Sequence, residues 1–256
     1  LIHAEQGIGD VIQFARYVPM LAPHAGKVIF AVPDKLMDLM RQLGDDIEII
    51  SDKEITVPFD VHCPLMSLPF AFGTEMETIP AKVPYLFPDQ AQARSLRERL
   101  SQNGAKKVCG LSWYSKSEKT GSLRNITLLE LFDAIDPADY VFVNLQYGDV
   151  AAEIAELKRA RGIEIICVDE IDNYDDMNGF AALIEACDVV LSIDNTTIHM
   201  AGALGKETLV MLPYVPDWRW LLNRDDSPWY PSMKLFRQDL QDEWGSVLRD
   251  VSAALL

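Results

Sequence analysis

The stretch VVLSIDNTTIHMAGALG, at positions 189–205, constrains the fold more than any other part of the sequence. It begins with a short apolar run, which is typical of a parallel strand covered on both faces. Asn195, Thr196 and Thr197 follow, and their side-chain oxygens can accept hydrogen bonds from the first N–H groups of a helix. Gly205 then favours a left-handed stop to that helix. The stretch therefore predicts a buried strand, a sharp turn and a helix.

A helix that begins at the carboxyl edge of a sheet presents free N–H groups and a positive dipole end. Anionic ligands bind at such positions in open α/β sheets. Asp194 lies at the end of the predicted strand, and His199 lies about one turn into the helix, where the dipole disfavours a charged imidazole. The alternative interpretation is a well-capped strand–helix unit that contains a buried, hydrogen-bonded histidine.

Strands alternate with helices along the whole sequence, which predicts parallel sheets and an α/β fold. The predicted strands cover residues 1–4, 27–32, 47–50, 57–63, 107–113, 140–145, 163–168, 189–193 and 208–212. The predicted helices cover residues 11–21, 34–43, 91–100, 127–135, 150–161, 178–187 and 240–256. Residues 103–105 form the best linker candidate, between a helix and a fresh strand. We therefore predict two doubly wound, Rossmann-like domains, over 1–104 and 105–256, which face a cleft.

Composition narrows the classes of partner. The 256 residues are 49% hydrophobic and 24% charged, which is enough for one large core or two small ones. The formal net charge of −16 creates a field that repels nucleic acid and anionic membrane surfaces. No apolar run is long enough to span a bilayer, and no stretch has the pattern of a signal peptide. We expect no nucleic-acid partner and no transmembrane segment.

The cysteines predict a reducing compartment. Cys63, Cys109, Cys167 and Cys187 are far apart in sequence, and none belongs to a CxxC pair. We interpret all four as reduced core residues of a cytoplasmic protein that has no metal site. The sequence begins inside a predicted strand and without methionine, so we expect it to be part of a longer polypeptide.

A glycine-rich turn, EQGIGD, follows the first predicted strand. Gly7 and Gly9 let the backbone approach a ligand closely, although the third glycine of the dinucleotide-binding fingerprint is absent. Asp10 begins the next predicted helix and should face the cleft, where a carboxylate can accept a proton from an attacking hydroxyl. The alternatives are a tight structural turn and an N-cap role for Asp10.

A cation-rich loop follows the strand predicted at 107–113. Lys116, Lys119 and Arg124 lie there among hydroxyl-bearing residues that begin with Ser112. In so acidic a chain, this composition predicts a phosphate-binding loop, and the alternative is a solvated loop. The acidic run at 169–176 lacks the glycine and closing glutamate of a calcium loop, so we expect a solvated loop, a helix cap or a ribose contact. The aromatic segment at 216–232 predicts packing over the sheet edge, with some part lining a substrate site.

Six motifs together resemble a known family. They are HAEQGIGDVIQFARYVP, FDVHCPLMSLPFAFGT, GLSWYSKSEKTGSLRNI, VNLQYGD, DDMNGFAALIEACDVVLSIDNTTIHMAGALGK and LPYVPDWRWLLNRDDSPWYPSMKLFRQ, in this order. They look like the glycosyltransferase module at the C-terminus of bacterial tetratricopeptide-repeat proteins. That module is similar to the ADP-heptose:lipopolysaccharide heptosyltransferases, which have the GT-B fold. The resemblance implies repeat helices upstream in the full-length protein.

The resemblance also implies roles for particular residues. Asp10 matches the proposed catalytic base of heptosyltransferases, which follows Gly7 and Gly9 of the glycine loop. The family's Asp-Thr-x-x-x-His motif holds the donor diphosphate, and Asn195 takes the place of its usual threonine or serine. The residues that fall close to that motif are Asp194, Thr196, Thr197 and His199. The cationic donor loop is matched by position at Ser112, Lys116 and Arg124, and the segment that contacts the nucleoside is matched at Asp176.

The resemblance implies a transferase that is independent of metal ions and that uses a nucleotide sugar as co-substrate, with no other cofactor. We expect domain 105–256 to bind this donor and domain 1–104 to receive the acceptor. Asp10 would deprotonate the acceptor hydroxyl, with inversion at the sugar carbon. The net charge favours a protein or soluble glycan as the acceptor. Two alternatives are a non-catalytic GT-B module that serves as a scaffold beside repeat helices and a nucleotide-sugar epimerase.

Overall fold

The chain forms two separate parallel sheets in the computed structural model, which describes residues 1–102, 104–117, 121–136 and 138–256. The first sheet has four strands in the order β3-β2-β1-β4. These strands are β1 (Ile2–His3), β2 (Val28–Val32), β3 (Ile47–Ser51) and β4 (Cys63–Pro64). Every neighbouring pair in this sheet is parallel.

The second sheet has six strands, and all of its neighbouring pairs are parallel too. Its strands are β5 (Lys107–Ser112), β6 (Tyr140–Asn144), β7 (Ile165–Ile166), β8 (Val189–Ile193), β9 (Thr208–Leu212) and β10 (Met233–Arg237). They lie in the order β10-β9-β8-β5-β6-β7. The predicted fold class, with two parallel-sheet α/β domains, is confirmed.

Helices connect the strands. The α-helices are α1 (Ile8–Phe14), α2 (Met37–Met40), α3 (Leu68–Ala71), α4 (Gln90–Leu100), α5 (Gly121–Arg124), α6 (Leu128–Leu131), α7 (Ala151–Arg161), α8 (Met177–Ala186), α9 (Thr196–Leu204) and α10 (Gly245–Leu255). Short 3₁₀ segments cover Ala15–His24, Asp34–Leu36, Arg41–Leu43, Leu65–Ser67, Met76–Thr78 and Trp218–Trp220. Within the described ranges, no helix is both long enough and apolar enough to cross a lipid bilayer.

The strand–turn–helix unit predicted at 189–205 forms as expected. Every residue of β8 is buried, and the Asn195 side chain caps α9 by accepting a hydrogen bond from the Thr197 N–H. Gly205 ends α9 in the left-handed region, with φ of 73°. A side chain is rarely accommodated there, which explains the glycine.

Several predicted element boundaries are wrong. The helix predicted at 11–21 starts earlier and gives way after Phe14 to 3₁₀ geometry that contains Pro19, because proline cannot donate the α-helical hydrogen bond. The strand predicted at 57–63 is reduced to β4, and the helices predicted at 34–43 and 127–135 are broken or shorter. The last helix starts at Gly245 rather than Leu240. The sequence analysis missed β10, whose run MKLFR is short and carries two cations.

The two domains pack directly on each other. Helix α1 contacts α9, and one hydrophobic core cluster contains buried residues of both domains. Helix α4 lies against α8, and Arg97 pairs with Asp188 beside β8. The helix just before the proposed linker is therefore attached to the second sheet. The boundary at residue 104 stays a prediction, and Asn103 of the linker lies outside the described residues.

The cysteines occupy three kinds of environment. Cys109 and Cys187 are buried, and Cys63 is half-buried. Cys167 is exposed, because β7 ends at Ile166 and the chain there leaves the sheet. The expectation that all four lie in the core is therefore wrong for Cys167, whereas all four are free thiols in this structure.

Candidate active site

The strand order of the second sheet locates a crevice. From β5 the chain adds β6 and β7 on one side and then returns to add β8, β9 and β10 on the other. The carboxyl ends of β5 and β8 therefore flank the point where the strand order reverses. Ligands of open α/β sheets bind outside the strand ends at such a point. Both the cation-rich loop and the start of α9 lie here.

A buried hydrogen-bond network ties these two strand ends together. The Asn195 Nδ2 atom donates to the Ser112 hydroxyl at 2.7 Å, and Asn195 Oδ1 accepts the Thr197 N–H at 2.9 Å. The Ser112 hydroxyl donates in turn to Gln146 Oε1 at 3.0 Å. The same Gln146 oxygen accepts the N–H groups of Trp113 and Tyr114. Ser112 thus lies behind the site, in contact with protein groups, whereas Thr197 also lines a second cavity next to it.

A cavity of about 270 Å³ lies between the two domains at this edge. The first domain lines it with Gln6, Gly7, Gly9 and Asp10. The second domain lines it with Ser115, Arg124, Tyr147, Asp194, Asn195, Thr196, His199, Asp217 and Arg219. Most of the predicted site residues are therefore brought together, although they come from segments far apart in the sequence.

Asp10 is the acid that the first domain contributes to this cavity. Gly7 is the N-cap of α1, so Asp10 is the third helical residue and not the cap. Asp10 Oδ2 accepts the Gly7 N–H at 2.8 Å, and Oδ1 forms an ion pair with Arg219 of the second domain. Both carboxylate oxygens therefore have a protein partner, while the remaining lone pairs are available at the cavity.

Asp194, which is buried, and Arg124, which is half-buried, form an ion pair on the opposite wall. Arg124 Nη1 lies 3.3 Å from Asp194 Oδ2. Burial raises the pKa of Asp194, and the Arg124 charge opposes this shift. The Arg124 Nη2 group donates to the Ser115 hydroxyl at 3.1 Å, whereas its buried Nε finds no hydrogen-bond partner within the described residues. Arg124 thus retains donor capacity for an anion.

His199 is held as a neutral imidazole. Burial, together with the nearby charges of Arg219, Arg16 and Arg124, lowers its pKa to about 3. Its Nδ1 atom lies 3.0 Å from the Tyr230 hydroxyl, and its ring stacks on Trp220 with the centroids 5.8 Å apart. At neutral pH the ring therefore offers one donor and one acceptor and no charge.

Besides Ser112 and Thr197, the predicted donor-binding residues Lys116 and Asp176 lie outside this cavity. The Lys116 ammonium lies 5.8 Å from the centroid of the Tyr147 ring, and the Lys116 backbone N–H donates to the Tyr147 hydroxyl at 3.0 Å. Asp176 caps α8 by accepting the Gly179 N–H at 2.8 Å, and it does not line the cavity. Lys119 lies outside the described residues.

Two further cavities continue the crevice. One, of about 350 Å³, shares Gly7, Tyr147 and Thr196 with the first, and its walls include Met177 and Phe180. The other, of about 390 Å³, lies at the ends of β6 and β7. Together the three cavities form a groove along the carboxyl edge of the second sheet, with the first residue of α9 between two of them.

A clasp between the domains borders the 350 Å³ cavity. Lys35 of the first domain donates to the Tyr174 carbonyl at 2.9 Å, and its ammonium lies 3.2 Å from the centroid of the Tyr174 ring. It also lies 3.6 Å from an Asp175 carboxylate oxygen. Residues of the acidic run at 169–176 thus bind the Lys35 ammonium, a role that the composition of the run alone did not indicate.

The sequence analysis missed Arg219 as a site residue. It is buried, and it contacts Asp10 of the other domain. The only signal in the sequence is the pattern Trp218-Arg219-Trp220, an arginine between two large aromatic residues in an acidic chain. No group of three or more His, Cys, Asp or Glu side chains able to hold a metal ion occurs among the residues that the structure describes.

Comparisons with known proteins show what the chain is similar to. No protein-family profile matches it. Protein FlbA of Caulobacter vibrioides is 29% identical over 274 aligned positions, which cover 100% of this chain and 46% of FlbA. The chain thus spans about half the length of this relative.

Solved structures share the fold at low sequence identity. A glycosyl transferase family 9 protein of Veillonella parvula matches with a TM-score of 0.62 and 11% identity, over 98% of this chain and 90% of that one. The E. coli ADP-heptose LPS heptosyltransferase II matches with a TM-score of 0.59 and 12% identity, over 99% and 96%. These likenesses, with the two parallel sheets, show a Rossmann-like fold of the GT-B type.

Proposed function

We propose that the protein is a glycosyltransferase that moves a sugar from a nucleotide-sugar donor to an acceptor hydroxyl. One observation carries the proposal: the Asp10 carboxylate lines the same cavity as Arg124 and the first residue of α9, Thr196. A base thus faces an anion-binding wall. The names of the two structural relatives, a family 9 glycosyl transferase and an ADP-heptose heptosyltransferase, support the same reaction class.

The donor diphosphate would bind where α9 begins. Asn195 takes the Thr197 N–H, which leaves the Thr196 amide and the positive helix end directed at the cavity. Arg124 adds a guanidinium whose Nε has no hydrogen-bond partner among the residues that the structure describes. These groups would stabilise the charge that develops on the leaving diphosphate, which is the role that a metal ion plays in other transferases.

The nucleoside would occupy the adjoining cavity of about 350 Å³. Met177 and Phe180 offer apolar contacts there, and Tyr174 and Tyr147 offer aromatic ones. The cavity shares Thr196 with the diphosphate site, so one ligand can reach both. A pocket with apolar walls and a few placed polar groups is typical of nucleotide sites.

Asp10 would act as the general base on the acceptor hydroxyl. It stands on α1 of the first domain, across the cavity from α9. Attack from this side, opposite the leaving diphosphate, inverts the sugar carbon. General-base assistance of this kind contributes roughly 10²–10⁴-fold to the rate.

The acceptor would be a protein or a soluble glycan. A chain with a formal net charge of −16 is repelled by the anionic surface of a membrane or of lipopolysaccharide. The resemblance to modules attached to repeat helices favours a protein acceptor that such helices would present. A cytoplasmic location remains part of this proposal.

A second candidate is a non-catalytic nucleotide-binding module. The observation that favours it is the occupied state of Asp10, whose two oxygens bind the Gly7 N–H and Arg219. A carboxylate so held could serve only to join the domains. The module would still bind a nucleotide but would transfer no sugar.

A panel of nucleotide sugars, tested by thermal shift and by calorimetric titration, distinguishes the transferase and the nucleotide-binding module from a protein that binds no nucleotide. We expect one donor to stabilise the protein. Arg124→Gln should weaken the binding of that donor by about 10–100-fold, the value of a lost charge-assisted hydrogen bond. Arg94→Gln, on the exposed face of α4, is the matched control and should bind as the wild type does. If no nucleotide sugar or nucleotide binds, the proposal fails. Binding without release of the nucleotide would favour the non-catalytic module.

A further inference from the structure

Arg219 reaches from the second domain into the first. Its Nε donates to Gln13 Oε1 at 2.7 Å, its Nη1 donates to Asp217 Oδ1 at 2.9 Å, and its Nη2 pairs with Asp10. Gln13 and Asp10 both belong to α1, three residues apart on one face. The guanidinium therefore contacts two side chains of the first domain and one of its own.

The local sequence fixes this placement. Trp218, Arg219 and Trp220 form one 3₁₀ turn, in which three successive side chains point in three directions. The Trp220 ring is buried beneath His199, and Trp218 stacks near Phe14 with the ring centroids 6.5 Å apart. Arg219, between them, is directed into the cavity.

Both ends of this turn hold it in place. Asp217 caps the turn by accepting the Arg219 N–H at 3.1 Å. Leu221, which follows the turn, has a φ of 54°, a value that a leucine rarely adopts and that the surrounding structure must maintain. The backbone thus turns sharply just after the segment from which the Arg219 side chain enters the cavity.

We propose that Arg219 is a positioning residue, which fixes the Asp10 carboxylate at the cavity through a contact between the two domains. The inference rests on the proposed function, since it assigns Asp10 the part of the base. It also explains how Asp10 can act as a base although both of its carboxylate oxygens already have a protein partner. The Gly7 amide and Arg219 hold one oxygen each and orient the lone pairs that remain.

The charges around Asp10 explain why its ion pair with Arg219 is needed. Asp217 lies on the far side of Arg219, and Asp194 lines the same cavity. Arg124 is already paired with Asp194, and His199 is neutral at working pH. Without Arg219, the Asp10 carboxylate would face Asp217 and Asp194, and the charge of Arg124 is already partly offset by its pair with Asp194, so we expect the carboxylate to turn away.

The test compares Arg219→Gln and Arg219→Lys with wild type in donor turnover. Misplacement of a catalytic group by about 1 Å can cost on the order of 10²-fold, so we expect Arg219→Gln to lower kcat at least about tenfold and to leave the donor KM nearly unchanged. Lysine reaches only one carboxylate and should restore kcat in part. Arg224→Gln is the matched control, because Arg224 lies on the same loop and pairs with Asp226 at the surface.

A double variant separates positioning from direct donor binding. If Arg219 acts through Asp10, adding Arg219→Gln to Asp10→Asn causes no further loss of kcat, because residues that act as a unit are non-additive. A donor KM raised about tenfold with kcat unchanged, or losses that multiply, would overturn the proposal and assign Arg219 to the donor.

The ion pair between Asp10 and Arg219 can also be tested without an activity measurement. If wild type transfers no sugar, the proposed function fails, and the four proteins of the same cycle are then compared in urea unfolding. A tie between Asp10 and Arg219 predicts that the two substitutions are coupled by at least about threefold in the unfolding equilibrium constant. If the two substitutions affect the unfolding equilibrium independently, Asp10 and Arg219 do not interact, and the proposal fails.

Discussion

A Cβ atom added at Gly9 would lie 2.7 Å from Cδ2 of His199, so these two residues meet across the domain interface with no room for a side chain. Helix α1 packs on α9 at this point. The imidazole cannot retreat, since it is held by Tyr230 on one side and Trp220 on the other. The second glycine of the glycine-rich turn therefore lets the two domains approach and form the cavity.

Gly9→Ala should separate α1 from α9. In an open helix, alanine would stabilise α1 by up to about 1 kcal/mol relative to glycine. Here we expect a net loss of about 1–3 kcal/mol in the free energy of unfolding, because overpacking forces the backbone to shift. Urea denaturation measures the change. Gly26→Ala is the control, because nothing lies within 4 Å of its added Cβ, and it should stay within about 0.5 kcal/mol of wild type. A Gly9→Ala variant as stable as Gly26→Ala would contradict this account of the interface.

Asn195 has a second role that explains its presence in place of the threonine or serine of the resembled motif. Threonine could cap α9 but could not donate an amide hydrogen to the Ser112 hydroxyl, 2.7 Å away. We expect Asn195→Thr to cost about 1–2 kcal/mol of stability, and Asn195→Ala to cost about 1 kcal/mol more because the cap is lost too. Urea denaturation of both variants checks this. Equal stability of Asn195→Thr and wild type would mean that the bond to Ser112 contributes nothing.

The lowered pKa of His199 makes stability depend on pH in a defined window. In the unfolded chain the histidine takes up a proton near pH 6.5, whereas in the folded protein its pKa is about 3. As the pH falls between these values, the unfolded state binds more protons, so stability falls, by at most about 1.4 kcal/mol per pH unit. His199→Gln removes this contribution.

Unfolding measured at pH 7 and at pH 5 should therefore show a smaller loss on acidification for His199→Gln than for wild type. The control is His24→Gln, at an exposed position, which should retain the wild-type slope. A slope for His199→Gln identical to that of wild type would show that His199 is not held neutral by the fold.

Periodic and capping signals in the sequence predict the framework of this fold well. Strand β8, the Asn195 cap and the Gly205 stop are local features, determined by residues within about four positions of each other. The alternation of strands and helices likewise predicts parallel sheets. Asp10 could be identified as a cleft residue because glycines followed by an acid, at the end of a first strand, point to the sheet's carboxyl edge.

Long-range contacts explain what could not be predicted. Arg219 is 209 positions from Asp10, and no periodicity relates them. Ser112 and Asp176 have the right residue types for ligand contacts, but Gln146 and Gly179 satisfy them within the protein. Strand β10 forms because β9 offers a free edge, although its own sequence carries little strand signal. Packing between distant segments decides each of these cases.

The rate at which a bound nucleotide sugar is cleaved to nucleoside diphosphate and free sugar, with water as the hydroxyl that takes the sugar, compared between wild type and Asp10→Asn, tests the central claim most directly. We predict that Asp10→Asn turns over roughly 10²–10⁴-fold more slowly. Its donor affinity should stay close to that of wild type, because Arg124, Thr196 and the adjoining cavity, and not Asp10, would hold the donor. Asp45→Asn, at an exposed site of the first domain, should match wild type. Undiminished turnover by Asp10→Asn would contradict the account.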